Sequence, residues 1–376
     1  MDATQILIPL FAALAVSAMA TPIVSRLARI SQAVDVPNDR KVNQREDIPL
    51  LGGLAVALGC VVGLSVAVLV LGEEIVDLGR LNGFFIGGAL LLMVGAWDDR
   101  WGLRAAPKLL VQVAAAAAAI HYGFVIPHIT EPFTQSTYVL PIWLSWLVTT
   151  IWIVGVTNAL NLIDGLDGLA SGLGVIIAST LVVICWQAGQ GAGVIFGAAL
   201  VGALVGFLPY NFPPARIFIG DTGALFLGYS LALLALDGYR TSALLTFVVP
   251  LLALAVPLLD TGLSILRRLR AGQPIFHADR LHMHHRLLET EGSDRGAVLS
   301  LYFLTACFCI IAVSFTRLQG YAAIIFLGAV VILTARLLRN LGALSPETAA
   351  EPSSAPAKPV PISVPPVETR AKGGSR

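Results

Sequence analysis

The segment from residue 140 to 187, LPIWLSWLVTTIWIVGVTNALNLIDGLDGLASGLGVIIASTLVVICWQ, sets a polar island between two runs that carry no Asp, Glu, Lys or Arg. Each run is long enough to cross a hydrocarbon layer of about 30 Å as a helix. Within the island, Asn158, Asn161, Asp164 and Asp167 repeat a polar side chain every third residue. On an unbroken helix each such step turns the side chain back by about 60°, so the four cannot share one face. Gly165 and Gly168 allow the helix to break there. A broken helix end at a membrane surface presents free amides beside carboxylates, as nucleotide and metal sites require.

The rest of the chain repeats the flanking pattern. Of its 376 residues 56% are hydrophobic and 12% charged, and mean hydropathy is +0.82. That charged share is about half the usual one for soluble domains, which excludes a water-soluble globular protein. Apolar runs lie near residues 5–24, 50–71, 82–97, 107–123, 140–157, 169–187, 193–209, 223–236, 243–265, 298–315 and 321–338. They predict an all-α, polytopic membrane helix bundle of about eleven transmembrane helices. An outside N-terminus leaves only Arg80, Arg240 and Arg317 outside among 24 Lys and Arg, so the basic loops and the C-terminus are expected in the cytoplasm. The formal net charge of +1 gives no field for nucleic acid. Residues 1–342 form the expected transmembrane domain, and the Pro- and Ala-rich stretch 343–376 reads as a disordered cytoplasmic tail. Cys60, Cys185, Cys307 and Cys309 sit inside apolar runs, as buried small hydrophobes do.

Polar groups collect at the inner ends of these runs. Asp98 and Asp99 close the third, where paired carboxylates suit metal binding or proton abstraction. Lys108 opens the fourth with Gln112 one turn on, a cation for a phosphate or for the Asp pair. Arg40 and Lys41 precede Gly52-Gly53, where backbone amides and cations together suit phosphate. Asp221, in Ile219-Gly220-Asp221-Thr222-Gly223, has no adjacent basic residue, which suits a ligand for Mg²⁺. The last inner loop holds His277, His282, His284 and His285 with Arg280 and Arg286; two arginines favour an anion or sugar phosphate over zinc.

Taken in order, Asp98-Asp99, Asn158 to Asp167, Gly220-Asp221 and His282-Met283-His284-His285-Arg286 resemble the polyprenyl-phosphate N-acetylhexosamine-1-phosphate transferase superfamily, over roughly residues 5 to 340. The resemblance implies transfer of a sugar-1-phosphate from a UDP-sugar to a polyprenyl phosphate such as undecaprenyl phosphate, with release of UMP. It implies that Asp221 and Asn161 hold Mg²⁺, with Mn²⁺ as an alternative. By the same resemblance Asn211 and the stretch Asp164 to Asp167, including Gly165 and Leu166, contact uridine. Asp98 and Asp99 match a pair that deprotonates or positions the lipid phosphate, which Lys108 holds. Asp164, Asp167 and His282 join the catalytic set. Asn158, His284, His285 and Arg286, with Arg40 and Lys41, are expected to bind substrate.

The interrupted histidine run looks like the branch using UDP-N-acetylglucosamine. The muramoyl-pentapeptide branch, with its consecutive His triplet, stands second, and another UDP-N-acetylhexosamine is a further alternative. An inner-membrane enzyme with a cytoplasmic active site follows, with UDP-N-acetylglucosamine, the polyprenyl phosphate and the bilayer as partners and a homodimer left open. An ion-coupled secondary transporter is the rival class, but its sites lie near the bilayer midplane, whereas Asp98, Asp164, Asp167 and Asp221 fall at predicted inner ends.

Overall fold

A computed structural model describes residues 3–35, 48–72, 77–130, 137–238, 248–270, 272, 283–316, 318 and 320–340. Arg40, Lys41, His282 and the tail 343–376 lie outside them. The helices are α1 (Ala3–Ile30), α2 (Gly52–Leu71), α3 (Leu78–Trp101), α4 (Ala105–His121), α5 (Ile142–Ile163), α6 (Leu169–Gln187) and α7 (Gly191–Asn211). They continue with α8 (Gly220–Gly238), α9 (Val248–Ala253), α10 (Ala255–Arg270), α11 (Met283–Glu291), α12 (Asp294–Phe315) and α13 (Gly320–Asn340). Two antiparallel hairpins, β1 (Val34–Asp35) with β2 (Ile48–Pro49) and β3 (His128–Thr130) with β4 (Thr137–Val139), add short strands to the expected all-helical plan.

Every expected apolar run overlaps a helix, and among the described residues α1, α2, α3, α5, α6, α7 and α12 are long and apolar enough to cross a membrane. Of the other four, α4 has 17 residues and α8 carries Asp221 and Asp237 at its ends, while the side chains of α13 are described over the apolar stretch Ile325–Arg336. The ninth run is divided between α9 and α10. Pro257 has no N–H for the carbonyl of Ala253, and the Cys309 thiol takes that acceptor at 3.8 Å.

Helix α8 is the axis of the bundle. It packs against α2, α3, α5, α6 and α7, and residues 222–237 are buried. Its sequence is apolar all round, the pattern of a helix enclosed by protein. Tyr229 donates its hydroxyl to the Gly83 carbonyl at 2.8 Å, and the Trp152 indole reaches the Ala232 carbonyl at 3.1 Å. At the C-terminal end Asp237 pairs with Arg80 of α3, which also donates to the Gly123 carbonyl at 2.9 Å and lies over the Phe124 ring at 4.9 Å. Arg80→Met leaves a buried carboxylate without that cation and is expected to cost about 3–5 kcal/mol. Thermal unfolding in detergent checks this: Arg80→Met should melt well below the wild type, and the double variant Arg80→Met/Asp237→Leu should regain most of the loss.

The N-terminal end of α8 is locked by small residues and backbone pairing. Phe218 donates its amide to the Pro49 carbonyl at 2.8 Å, and the Gly52 and Gly53 amides donate to Phe218 and Ile219 carbonyls at 3.0 and 2.9 Å. Those two amides are therefore engaged within the fold, which corrects their expected part in phosphate binding. A Cβ on Gly53 would stand 2.1 Å from the Gly223 Cα, and one on Gly95 2.5 Å from the Thr222 Cα. Only glycine lets α2 and α3 approach the first turn of α8 this closely.

Candidate active site

The backbone at Gly220 decides where Asp221 points. Gly220 has φ +68°, in the left-handed region that favours glycine, and its carbon faces Asp99. Asp99 then binds the first turn of α8: one oxygen accepts the Asp221 amide at 2.8 Å, the other the Thr222 amide at 3.0 Å and the Thr222 hydroxyl. It serves as a helix cap supplied by a neighbouring helix, and a carboxylate there also suits the helix dipole. Donors of α8 engage both oxygens of Asp99, which thereby holds this turn in place.

Its neighbour Asp98 faces a different way. Adjacent helical residues point about 100° apart, and Asp98 accepts from the Leu103 amide and from the Lys108 ammonium. Lys108 also donates to Asp221 at 2.6 Å, while Asn161 donates its side-chain amide to the other Asp221 oxygen at 2.9 Å. Asp98 of α3, Lys108 of α4, Asn161 of α5 and Asp221 of α8 thus meet where the ends of these helices converge. Asp164 follows as the C-cap of α5. It keeps some exposure, yet the protein packed around it and the negative charges of Asp221, Asp99 and Asp167 hold its carboxyl well above the usual carboxylate range.

This donor set fits Mg²⁺. It is all oxygen, with a carboxylate and a neutral carboxamide adjoining, and its carboxylates outnumber the single Lys108 ammonium bonded among them. Among the described residues no three His, Cys, Asp or Glu side chains converge as a closed metal cage. A small hard cation that keeps its waters and takes one or two protein oxygens plus substrate phosphates needs no such cage.

The remaining sequence candidates brace the cluster. Asn158 donates to the Gln112 side-chain carbonyl at 2.6 Å, and Gln112 returns a bond at 3.2 Å, tying α4 to α5 beneath Lys108. Asn211 is buried, accepting from the Ser171 hydroxyl at 2.5 Å and donating to the Ile217 carbonyl at 3.0 Å. Asp167, also buried, accepts the Ala215 amide at 2.8 Å. These bonds fix the side chains of Asn158, Asn211 and Asp167 within the fold. The Asp167 bond holds the turn at residues 164–168 against the loop at 212–219. Leu166 is buried as well, and Gly165 is the exposed member of the turn. His284, His285 and Arg286, expected to bind substrate from the last inner loop, lie in the first turn of α11.

Four contributors had no signal in the sequence. Thr222 and Ser171 look like ordinary helix residues, Tyr302 sits in an apolar run, and Arg295 begins one. Yet the Tyr302 hydroxyl donates to the carbonyl of Gly168, whose φ is +73°, and Arg295 donates to the Pro213 carbonyl at 2.9 Å.

Comparison with known proteins returns one family over the heart of this region. A family model described as glycosyl transferase family 4 matches residues 81–239. The chain is 40% identical over 294 residues to a protein of Bacillus subtilis (strain 168) named probable undecaprenyl-phosphate N-acetylglucosaminyl 1-phosphate transferase, covering 78% of this chain and 80% of that one. It is 35% identical over 340 residues to a decaprenyl-phosphate N-acetylglucosaminephosphotransferase of Mycobacterium tuberculosis, covering 83% of each. A phospho-N-acetylmuramoyl-pentapeptide-transferase of Symbiobacterium thermophilum is 33% identical over 305 residues, which is 77% of this chain and 88% of that one.

Proposed function

The chain belongs to glycosyl transferase family 4, and on that premise we propose that it transfers N-acetylglucosamine-1-phosphate from UDP-N-acetylglucosamine to undecaprenyl phosphate or a related polyprenyl phosphate. The products are UMP and a polyprenyl-pyrophosphoryl N-acetylglucosamine for cell-envelope polysaccharide. The observation that carries the reading is Asp221 held between Lys108 and Asn161 where four helix ends meet. The donor choice is supported by the higher identity to relatives named for N-acetylglucosamine, 40% and 35%, than to the muramoyl-pentapeptide relative at 33%. Met283 within the histidine run points the same way. The skew of Lys and Arg across the expected spans supports a cytoplasmic site in the plasma membrane, reached by eleven crossings with the N-terminus outside. Family membership removes the transporter reading.

In the proposed reaction an oxygen of the polyprenyl phosphate attacks the β-phosphorus of the UDP-sugar in line, and the bond to the bridging oxygen breaks as UMP leaves. Mg²⁺ bound at Asp221 and Asn161 would neutralise charge developing on the pyrophosphate. Asp98 holds the Lys108 ammonium at the mouth of the cluster, where it can receive an anionic phosphate. A phosphate monoester with pKa near 6 is already largely ionised at neutral pH, so Asp98 positions rather than deprotonates. Asp99 keeps the first turn of α8 in place, and Asp164 lies at the end of α5 beside the cluster.

UMP release from detergent-purified protein tests the proposal. Release should require both polyprenyl phosphate and UDP-N-acetylglucosamine, stop on chelation and return with Mg²⁺ or Mn²⁺. UDP-N-acetylgalactosamine and UDP-muramoyl-pentapeptide should be used less well by about tenfold or more. Folded protein that releases no lipid-dependent UMP from any donor would overturn the reading.

A further inference from the structure

Asp260 is an acid within the bundle that the reaction outlined above does not use. It lies in α10 with 1% of its surface exposed, and its carboxylate accepts the backbone amide of Met283 at 2.7 Å. Met283 is the first residue of α11, and its side chain is 5% exposed. One turn on, Leu287 packs against the same core, so Met283 and Leu287 seat one stripe of the helix while Asp260 holds its leading amide. The first amides of a helix have no partner within it, and a carboxylate there is favoured by the helix dipole. The bond spans 23 residues of sequence and crosses the segment that carries Arg280 and His282. Fixing Met283 therefore fixes the start of α11, the helix in which His284, His285 and Arg286 follow.

We propose that Asp260 is a positioning residue for donor recognition: through the Met283 amide it sets the register of the His284-His285-Arg286 segment against the sugar phosphate of the UDP-sugar. This rests on the transferase reading and adds a residue to it. It also gives Met283 a physical role in the interrupted histidine run. The residue at that position sits in the core and supplies the held amide, so an imidazole there would have to be buried.

Full-length protein in detergent tests this by two independent measurements. In hydrogen exchange, Asp260→Leu should speed exchange of peptides covering 283–291 by about tenfold or more, because the amide loses its acceptor. Asp260→Asn, whose side-chain oxygen still accepts, should stay within about threefold of the wild type. In steady-state kinetics Asp260→Leu should raise KM for the UDP-sugar by about tenfold or more, with KM for polyprenyl phosphate unchanged and Asp260→Asn near wild type. If Asp260→Leu does not fold, Met283→Pro removes the donor at a position where proline is tolerated. It should reproduce the kinetic effect, while Met283→Leu should not. The proposal fails if exchange of 283–291 is unchanged in Asp260→Leu, if both KM values rise together, or if Asn is as impaired as Leu. A wild type that releases no UMP defeats the transferase reading instead, and the exchange measurement still decides whether Asp260 holds α11.

Discussion

Asp221→Asn is expected to lower lipid-dependent UMP release by about a thousandfold or more, equivalent to about 4 kcal/mol of transition-state stabilisation. The substitution keeps the size of the side chain, so the first turn of α8 should stay packed against Gly53 and Gly95 and capped by Asp99. What disappears is the anionic oxygen that faces Lys108 and would hold the divalent cation. Melting temperature in detergent should therefore change little while activity falls, and added Mg²⁺ should raise the melting temperature of the wild type and not that of the variant. Asn161→Ala, which removes a neutral partner, should cost about ten- to a hundredfold. A folded Asp221→Asn enzyme retaining more than about a tenth of wild-type activity would be incompatible with a metal-holding carboxylate at this position.

Gly220→Ala should be strongly damaging, because the position combines a left-handed backbone with close contacts. Its backbone lies at φ +68°, which costs an L-residue about 1–2 kcal/mol. The added Cβ would stand 2.1 Å from the Leu50 carbonyl oxygen and 2.5 Å from Asp99 Oδ2. The nearer of these is backbone, in the stretch between β2 and α2, so it cannot yield by a change of rotamer. The start of α8 must move, and Asp99 would then release the Asp221 and Thr222 amides at about 1–1.5 kcal/mol each. A total near 4 kcal/mol or more follows, and with it loss of activity. Thermal unfolding and detergent-extractable yield read this directly. Gly155→Ala is the matched control: it lies in α5 with nothing within 4 Å of an added Cβ, so it should be neutral or slightly stabilising. Equal melting of Gly220→Ala and wild type would show that the turn tolerates a side chain.

The sequence was most legible where the information is local. The three-residue repeat of polar side chains with Gly165 and Gly168 places the helix break where α5 ends and α6 begins. Asp221 has no basic neighbour in sequence, which reads as a Mg²⁺ ligand, and spacing gives no sign that Lys108, 113 residues away, bonds to it. What spacing cannot convey is which polar side chain faces another part of the chain. Asn158 and Asn161 are alike in sequence and one turn apart, yet one meets Gln112 and the other Asp221. Asp164 and Asp167 are likewise separated by tertiary contact alone, since the loop at Ala215 comes to Asp167 from 48 residues away. The ninth run shows the opposite limit: hydropathy reads it as continuous, while Pro257 within it is the local reason for the division into α9 and α10.

Helix α8 runs from the Lys108-bound end at Asp221 to the Arg80-bound end at Asp237, about 24 Å apart along the helix axis. Protein surrounds it between those points, so it meets no acyl chains of its own. Lipid-facing helices answer a thicker or thinner bilayer by tilting or kinking, and α8 feels such mismatch only through its neighbours. Because Asp221 is set by this enclosed strut and by Asp99 on the flanking α3, the proposed site is insulated from membrane thickness. The outer helices can adapt to changing lipid composition while the distance between Lys108 and Asp221 stays fixed.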